Sequence, residues 1–237
     1  MAVAIMAAAF TACGSGGGKS SAKIKMTTEA GGEFIFHLAG SGTATVDWGD
    51  GSEKVTLTLH ENTDNFYGRI GVRFEHTYPS ASIRTITING ENITRLNCGD
   101  ITSLDVSRCT ELILLDCWGN FTSLDVSKNT ALTSLHVSSK SLASLDVSKN
   151  TALTYLNVFG NLTSLDVSKN TTLAYVYVKG QLSAFALNAL FGALHSNTVP
   201  PAQGLNIVKI INIYDNPGTA DCDRSIAEKK GWTVIGY

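Results

Sequence analysis

Four aspartates recur at nearly constant spacing: Asp105, Asp125, Asp146 and Asp166. Stacked one coil apart in a repeating fold, they would set carboxylates about 5 Å from one another, which like charges resist. A row of Ca²⁺ ions would relieve the repulsion, since calcium takes carboxylate oxygens. So would Arg108, Lys128, Lys149 and Lys169, which stand three residues on in every copy, together with Asp and Ser side chains bonded to turn backbone. The second arrangement uses the basic residue present in every copy, so a structural role is expected and no metal. Asp47 and Asp50 flank a glycine turn, Val46-Asp-Trp-Gly-Asp-Gly-Ser52. They lack the further carboxylates in series that a calcium loop needs, and turn stabilisation is expected of them. His37, His60, His76, His136 and His195 have no Cys or carboxylate at ligand or triad spacing. No catalytic residue, no cofactor and no enzymatic activity are therefore expected. Gly14 to Ser20 has the look of a phosphate-binding loop, but that motif needs Gly where Cys13 stands and a strand before it. A flexible tether is the better reading.

These residues sit in a chain of 237 residues with 43% hydrophobic and only 16% charged residues, net charge −2. The average globular chain carries about 25% charged residues. A buried core is affordable, and nucleic acid is a poor partner, because neutralising phosphates needs clustered Lys and Arg. The same balance excludes a polybasic membrane-surface protein. Met1 to Ala12 is apolar and uncharged and ends in Phe10-Thr-Ala-Cys13. Such a stretch reads as a secretory signal, too short to span a bilayer. Cys13 after a small residue resembles a bacterial lipobox, which implies lipidation at Cys13, although no Lys or Arg precedes it. The expected location is the bacterial outer membrane or cell surface, with the N-terminal lipid as anchor.

The chain also shows its own period. Leu-Asp-Val-Ser begins at Leu104, Leu124, Leu145 and Leu165, at steps of 20, 21 and 20 residues. Between the copies lies a more variable segment: Leu112-Ile-Leu-Leu-Asp-Cys-Trp, Leu132-Thr-Ser-Leu-His-Val-Ser, Leu153-Thr-Tyr-Leu-Asn-Val-Phe and Leu173-Ala-Tyr-Val-Tyr-Val-Lys. A step of about 20 residues with L-x-x-L-x-L-x-x-N/C is the leucine-rich-repeat pattern. The first, fourth and sixth positions point inward and are buried only when coils stack into one apolar column. Cys109 stands where Asn129, Asn150 and Asn170 stand in later copies, and Cys98 and Cys117 fall at the inward sixth position. A Cys98–Cys117 disulfide is left open. The repeats resemble those of internalin-like surface lipoproteins of Gram-negative bacteria, over roughly Ile86 to Asn216. After them, Ser183 to Leu194 reads as a helix with Ser183 as N-cap. A last repeat-like strand is expected from Val208 to Tyr214, then a short helix to Lys230 and Gly231-Trp-Thr-Val234. Together these are expected to form a C-terminal cap.

Lys23 to Tyr78 alternates apolar and polar residues, with glycine breaks, as antiparallel strands do. Trp48-Gly-Asp-Gly-Ser52 and His76-Thr-Tyr78 resemble the signature of PKD-like β-sandwich domains, which implies that His76 and Tyr78 pack and hydrogen-bond inside a sandwich. Ile83 to Ile88 would be its last strand. The expected class is thus mainly β with minor α: a signal and tether over 1–22, a PKD-like β-sandwich over 23–85, and a short leucine-rich-repeat solenoid with a helical C-terminal cap over 86–237.

In each variable segment the third, fifth and seventh residues face away from the column. They read Arg95, Asn97, Gly99; Leu114, Asp116, Trp118; Ser134, His136, Ser138; Tyr155, Asn157, Phe159; Tyr175, Tyr177, Lys179; and Ile210, Asn212, Tyr214. The Leu-Asp-Val-Ser row, read as a second row of strands, repeats Ser, Asp, Ser in every coil and carries no information. The variable row collects Trp, Phe and Tyr on one face, and aromatic patches mark contact surfaces. The expected ligand surface is Leu114, Asp116, Trp118, His136, Tyr155, Asn157, Phe159, Tyr175, Tyr177, Lys179 and Tyr214. Its partner is an extracellular or envelope protein, or a glycan, bound by a monomer. Trp118, Phe159 and Tyr177 are suited to stacking on sugar rings. Few flanking carboxylates and amides accompany them in the sequence, which favours a protein.

Overall fold

The computed structural model describes residues 23–61, 71–198 and 209–236. Cys13, the segment Gly14 to Ser20 and Val208 lie outside the described residues. The N-terminal strands are β1 (Ile24–Thr28), β2 (Gly32–Gly40), β3 (Thr43–Asp47), β4 (Val55–Thr58), β5 (Val72–Tyr78) and β6 (Arg84–Gly90). The repeats contribute β7 (Ile93–Asp105), β8 (Leu114–Gly119), β9 (Ser134–Ser139), β10 (Tyr155–Phe159) and β11 (Tyr175–Lys179). They are followed by α1 (Ala184–Ala193), β12 (Lys209–Asn212), α2 (Ser225–Glu228) and β13 (Trp232–Ile235).

The N-terminal strands pair antiparallel in two groups: β4-β3-β6-β1, and β5-β2. Alternation turns one residue in two inward, and the groups meet through those side chains. Phe36 of β2 stacks on Phe74 of β5 at 5.2 Å and meets Trp48, just after β3, edge-on at 5.6 Å. Tyr78 Oη donates to Trp48 O at 2.8 Å, and His76 Nε2 lies 2.7 Å from Asp50 Oδ2 while its ring stacks on Trp48. The turn between them is built from glycine: Gly49 has φ 76°, and a Cβ there would meet Thr85 O at 2.4 Å.

Strand β7 belongs to both halves of the chain. Residues 93–98 pair with β2, residues 101–105 pair with β1, and the strand also pairs in parallel with β8. Where it changes partner, Gly99 and Asp100 bulge out and Asp100 takes φ 54°. The expected boundary at 85/86 falls inside β6, which is paired on both sides.

From β7 onward each coil adds one strand in parallel register, through β8, β9, β10, β11, β12 and β13. The inward columns are continuous. Leu96, Leu115, Leu135, Leu156, Val176 and Ile211 form one, and Cys98, Cys117, Val137, Val158 and Val178 another; all are fully buried. Phe121, Leu142, Leu162 and Leu182, which the sequence reading left unassigned, form a further buried column on the far side. Cys98 and Cys117 are register neighbours, and all four described cysteines are free thiols. Burial pushes the Cys98 and Cys117 thiols far up and that of Cys109 to about 12. The side chain at the Asn/Cys position binds the preceding coil. Asn129 Nδ2 donates to Val106 O and Cys109 O, Asn150 Nδ2 to Val126 O and Asn129 O, and Asn170 Nδ2 to Val147 O and Asn150 O, at 2.7–3.0 Å. Cys109 makes one such bond, to Ile93 O at 3.3 Å.

The second row of strands is not formed. Only its first copy, at Leu104 and Asp105, is strand; the later Leu-Asp-Val-Ser segments have no ladder. Each Asp, Asp105 included, accepts the backbone N–H two residues on, so that bond is compatible with a strand; the first copy differs in having β1 to pair with. At the C-terminal side, α1 begins at Ser183, whose Oγ accepts from Ala186 N, and buries Leu187, Leu190 and Phe191. Lys209 ties the last strands together: its buried ammonium donates to His195 O, Asn197 O and Lys230 O and lies 5.5 Å from the Trp232 ring.

Candidate binding face

The outward side chains of β8 to β12 stand in register along one sheet face. Leu114, Ser134, Tyr155, Tyr175 and Ile210 form one row, and Asp116, His136, Asn157, Tyr177 and Asn212 the next. Trp118, Ser138, Phe159 and Lys179 form the third. Tyr214 follows β12 in a turn, its N–H donating to Asn212 Oδ1. Strand register thus brings ten of the eleven expected residues to one side of the sheet, Tyr214 lying beyond the strand. Tyr155 and Tyr175 stack nearly parallel at 4.8 Å. Lys179 lies 5.0 Å from the Phe159 ring and pairs with Asp215 at 2.5 Å. Asp116 accepts from Asn97 Nδ2 at 2.7 Å, and its Oδ1 lies 3.1 Å from His136 Nδ1. In the middle row Asp116 and His136 are therefore committed to one another.

Two positions on the outward face, Asn97 and Gly99, are covered. Asn97 is bonded to Asp116, and Gly99 lies against the Trp118 indole: a Cβ on Gly99 would sit 2.0 Å from its Cε2. Trp118 is about 40% exposed, while Trp48 and Trp232 are buried.

In front of Trp118 lies a cleft of about 690 Å³, walled by Trp118 and Phe159 and lined by Glu29, Asp100, Thr102, Asn120, Ser138 and Lys140. This corrects the expectation that few carboxylates and amides flank the aromatics. The missing groups come from the segment after β1, from the β7 bulge and from the turns after β8 and β9, none of which lies in the outward strand row. The only trace in the sequence is Gly99-Asp100, a turn-forming pair interrupting a strand pattern.

The aspartate row is spent inside the coils. The Ser107 hydroxyl and N–H hold Asp105 below its ordinary value of 3.8, and the N–H groups of Ser127 and Ser148 do the same for Asp125 and Asp146. Among the described residues no three metal-ligating groups converge. The lowered values carry a pH signature. A carboxylate whose folded value is depressed contributes stability above its unfolded value and loses it as pH falls through the folded one. The melting temperature should therefore fall steeply below about pH 4. Asp105→Asn/Asp125→Asn/Asp146→Asn keeps an acceptor in each turn but no titrating group. Its acid limb should be visibly shallower in thermal melts between about pH 5 and 2.5. Equal slopes would remove these turns as the cause.

No protein-family profile matches the sequence, and neither does any curated protein. Among solved structures, the functional domain of InlJ from Listeria monocytogenes, described as including a cysteine ladder, is similar. The two share 26% identity with a TM-score of 0.46, over 60% of this chain and 29% of that one. The chain thus spans under a third of the length of that relative.

Proposed function

We propose that the chain is an exported recognition protein of the bacterial cell surface, anchored by a lipid on Cys13. It binds an extracellular or envelope protein or a glycan through the outward face of β8 to β12, and catalyses no reaction. The N-terminal strands act as a PKD-like sandwich that closes one end of the solenoid, and α1, α2 and β13 act as the cap at the other. One observation carries this reading. The segment that repeats unchanged spends its polar groups on its own turns. The segment that varies presents Trp118, Phe159, Tyr155, Tyr175 and Tyr177 on a single face. Selection for stacking alone would not require the difference, because both segments contribute equally to the column. Aromatic side chains supply a large share of interface energy at little entropic cost.

The test is binding of the chain from Gly14 onward to a glycan array and to immobilised matrix proteins. The comparison is Trp118→Ala/Phe159→Ala/Tyr177→Ala, with a melting curve to check that it is folded at the assay temperature. The triple variant should lose binding by about a hundredfold or more. Binding that survives in the variant would place the contact surface elsewhere.

A further inference from the structure

The cleft before Trp118 says more than that the face binds something. We propose that it is a subsite for one neutral pyranose ring of a glycan, a proposal that rests on the recognition reading and narrows it. The indole packs at Gly99, where any Cβ would collide with the ring, and is about 40% exposed. An indole exposed in a cleft suits the C–H side of a sugar ring, and Phe159 lines the same cleft from the neighbouring coil. Around these two rings stand Glu29, Asp100, Asn120 and Lys140. The carboxylates accept and the ammonium donates, so vicinal hydroxyls find partners of both kinds. Asn120 Oδ1 is already taken by Ser141 Oγ at 2.6 Å, which leaves its amide N–H groups unspent. Among the described residues none of Glu29, Asp100 and Lys140 has an ion pair.

The rim is built rather than loose. Asp100 sits at φ 54°, a backbone conformation that non-glycine residues hold only when their surroundings fix it. Its carbonyl accepts from Thr28 Oγ1 at 2.7 Å, and Thr28 Oγ1 in turn accepts from Ala30 N, locking the bulge to the segment that carries Glu29. A cleft of this size with apolar walls and a few convergent polar groups has the make-up of a small-ligand site. A flat protein contact, by contrast, is depleted of charge at its centre. The charge also selects. Two carboxylates against one ammonium disfavour uronic, sialic and sulfated sugars, so the ligand is neutral.

Tryptophan fluorescence tests this directly, because Trp118 is the exposed one of the three indoles. The full chain is titrated with neutral hexa-oligosaccharides of glucose, mannose and galactose, and with hexagalacturonate, while acrylamide quenching is followed. A neutral oligosaccharide should shield Trp118 and lower quenching about threefold or more, and hexagalacturonate should not. Gly99→Ala, which lifts the indole without removing it, and Asn120→Ala should each weaken binding about tenfold. Shielding by hexagalacturonate as strong as by the neutral sugars overturns the proposal. So does the absence of shielding by all of them. In that case, loss of a protein ligand in the Trp118/Phe159/Tyr177 variant would keep the recognition face while discarding the sugar subsite. Loss of nothing in that variant would discard both.

Discussion

Asn150→Ala should lower the unfolding free energy by about 2 kcal/mol and the melting temperature by roughly 4–8 °C. The side chain is fully buried, and its Nδ2 donates at 2.9 Å to both Val126 O and Asn129 O. Alanine removes one of two donors from each carbonyl, since Val126 O keeps Asn129 N–H at 3.0 Å and Asn129 O keeps Leu132 N–H at 3.1 Å, so each lost bond costs about 0.5–1.5 kcal/mol. A smaller effect runs the other way: Asn150 Oδ1 has no partner among the protein atoms, and its burial cost disappears with the side chain. The two lost bonds outweigh the one relieved oxygen, which sets the estimate near the middle of the range. Asn150→Cys should fall between parent and alanine, since Cys109 holds the equivalent place with a single bond to Ile93 O. Urea unfolding of the three proteins decides the matter. A loss below about 1 kcal/mol for alanine would mean that the ladder merely accompanies the turn and does not hold it.

That the ladder was visible in the sequence has a physical reason. Every coil solves the same problem with the same residue type, so the solution repeats at the period of the fold. The inward columns were legible for the same reason, whereas the contact of the Trp48-Gly-Asp-Gly-Ser52 turn with His76 and Tyr78 was implied only by the resemblance to a known signature, since those residues follow no period. Three things were not legible. The Leu-Asp-Val-Ser row has strand-like alternation, but only its first copy has a strand, β1, to pair with, and alternation does not record whether a partner lies alongside. Asn97 and Gly99 are outward by alternation yet buried, since Asp116 and Trp118 on the next strand lie against them. The polar lining of the cleft comes from residues 29 and 100 as well as from turns beside the rings, a juxtaposition made only when β7 changes partner from β2 to β1. Single-strand periodicity gives faces; it does not give what a neighbouring element brings to them.

The sharing of β7 has a thermodynamic consequence, which Trp48→Ala should expose. Trp48 is fully buried, edge-on to Phe36 and stacked on His76 at 5.0 Å. Its truncation should cost about 4 kcal/mol, or roughly 8–16 °C in melting temperature. In a solenoid whose coils touch only their neighbours, damage at one end need not reach the other. Here the end strand also pairs with both groups of N-terminal strands, through β2 and β1, and one continuous apolar core runs from Ile24 to Trp232. Losing the N-terminal packing therefore strips β7 of its partners on one edge and exposes the Leu96 and Cys98 columns on which β8 stacks. The whole chain should unfold in one transition, shifted as a unit. Trp232 reports from the far end, donating from Nε1 to His195 O. In a Trp48→Ala/Trp118→Phe protein it is the sole indole, and its fluorescence should follow the far-ultraviolet circular dichroism at a common, lowered midpoint. If Trp232 instead keeps the parent's midpoint while part of the dichroism melts early, the N-terminal unit and the coils fold independently, and β7 is a seam between them rather than a shared foundation.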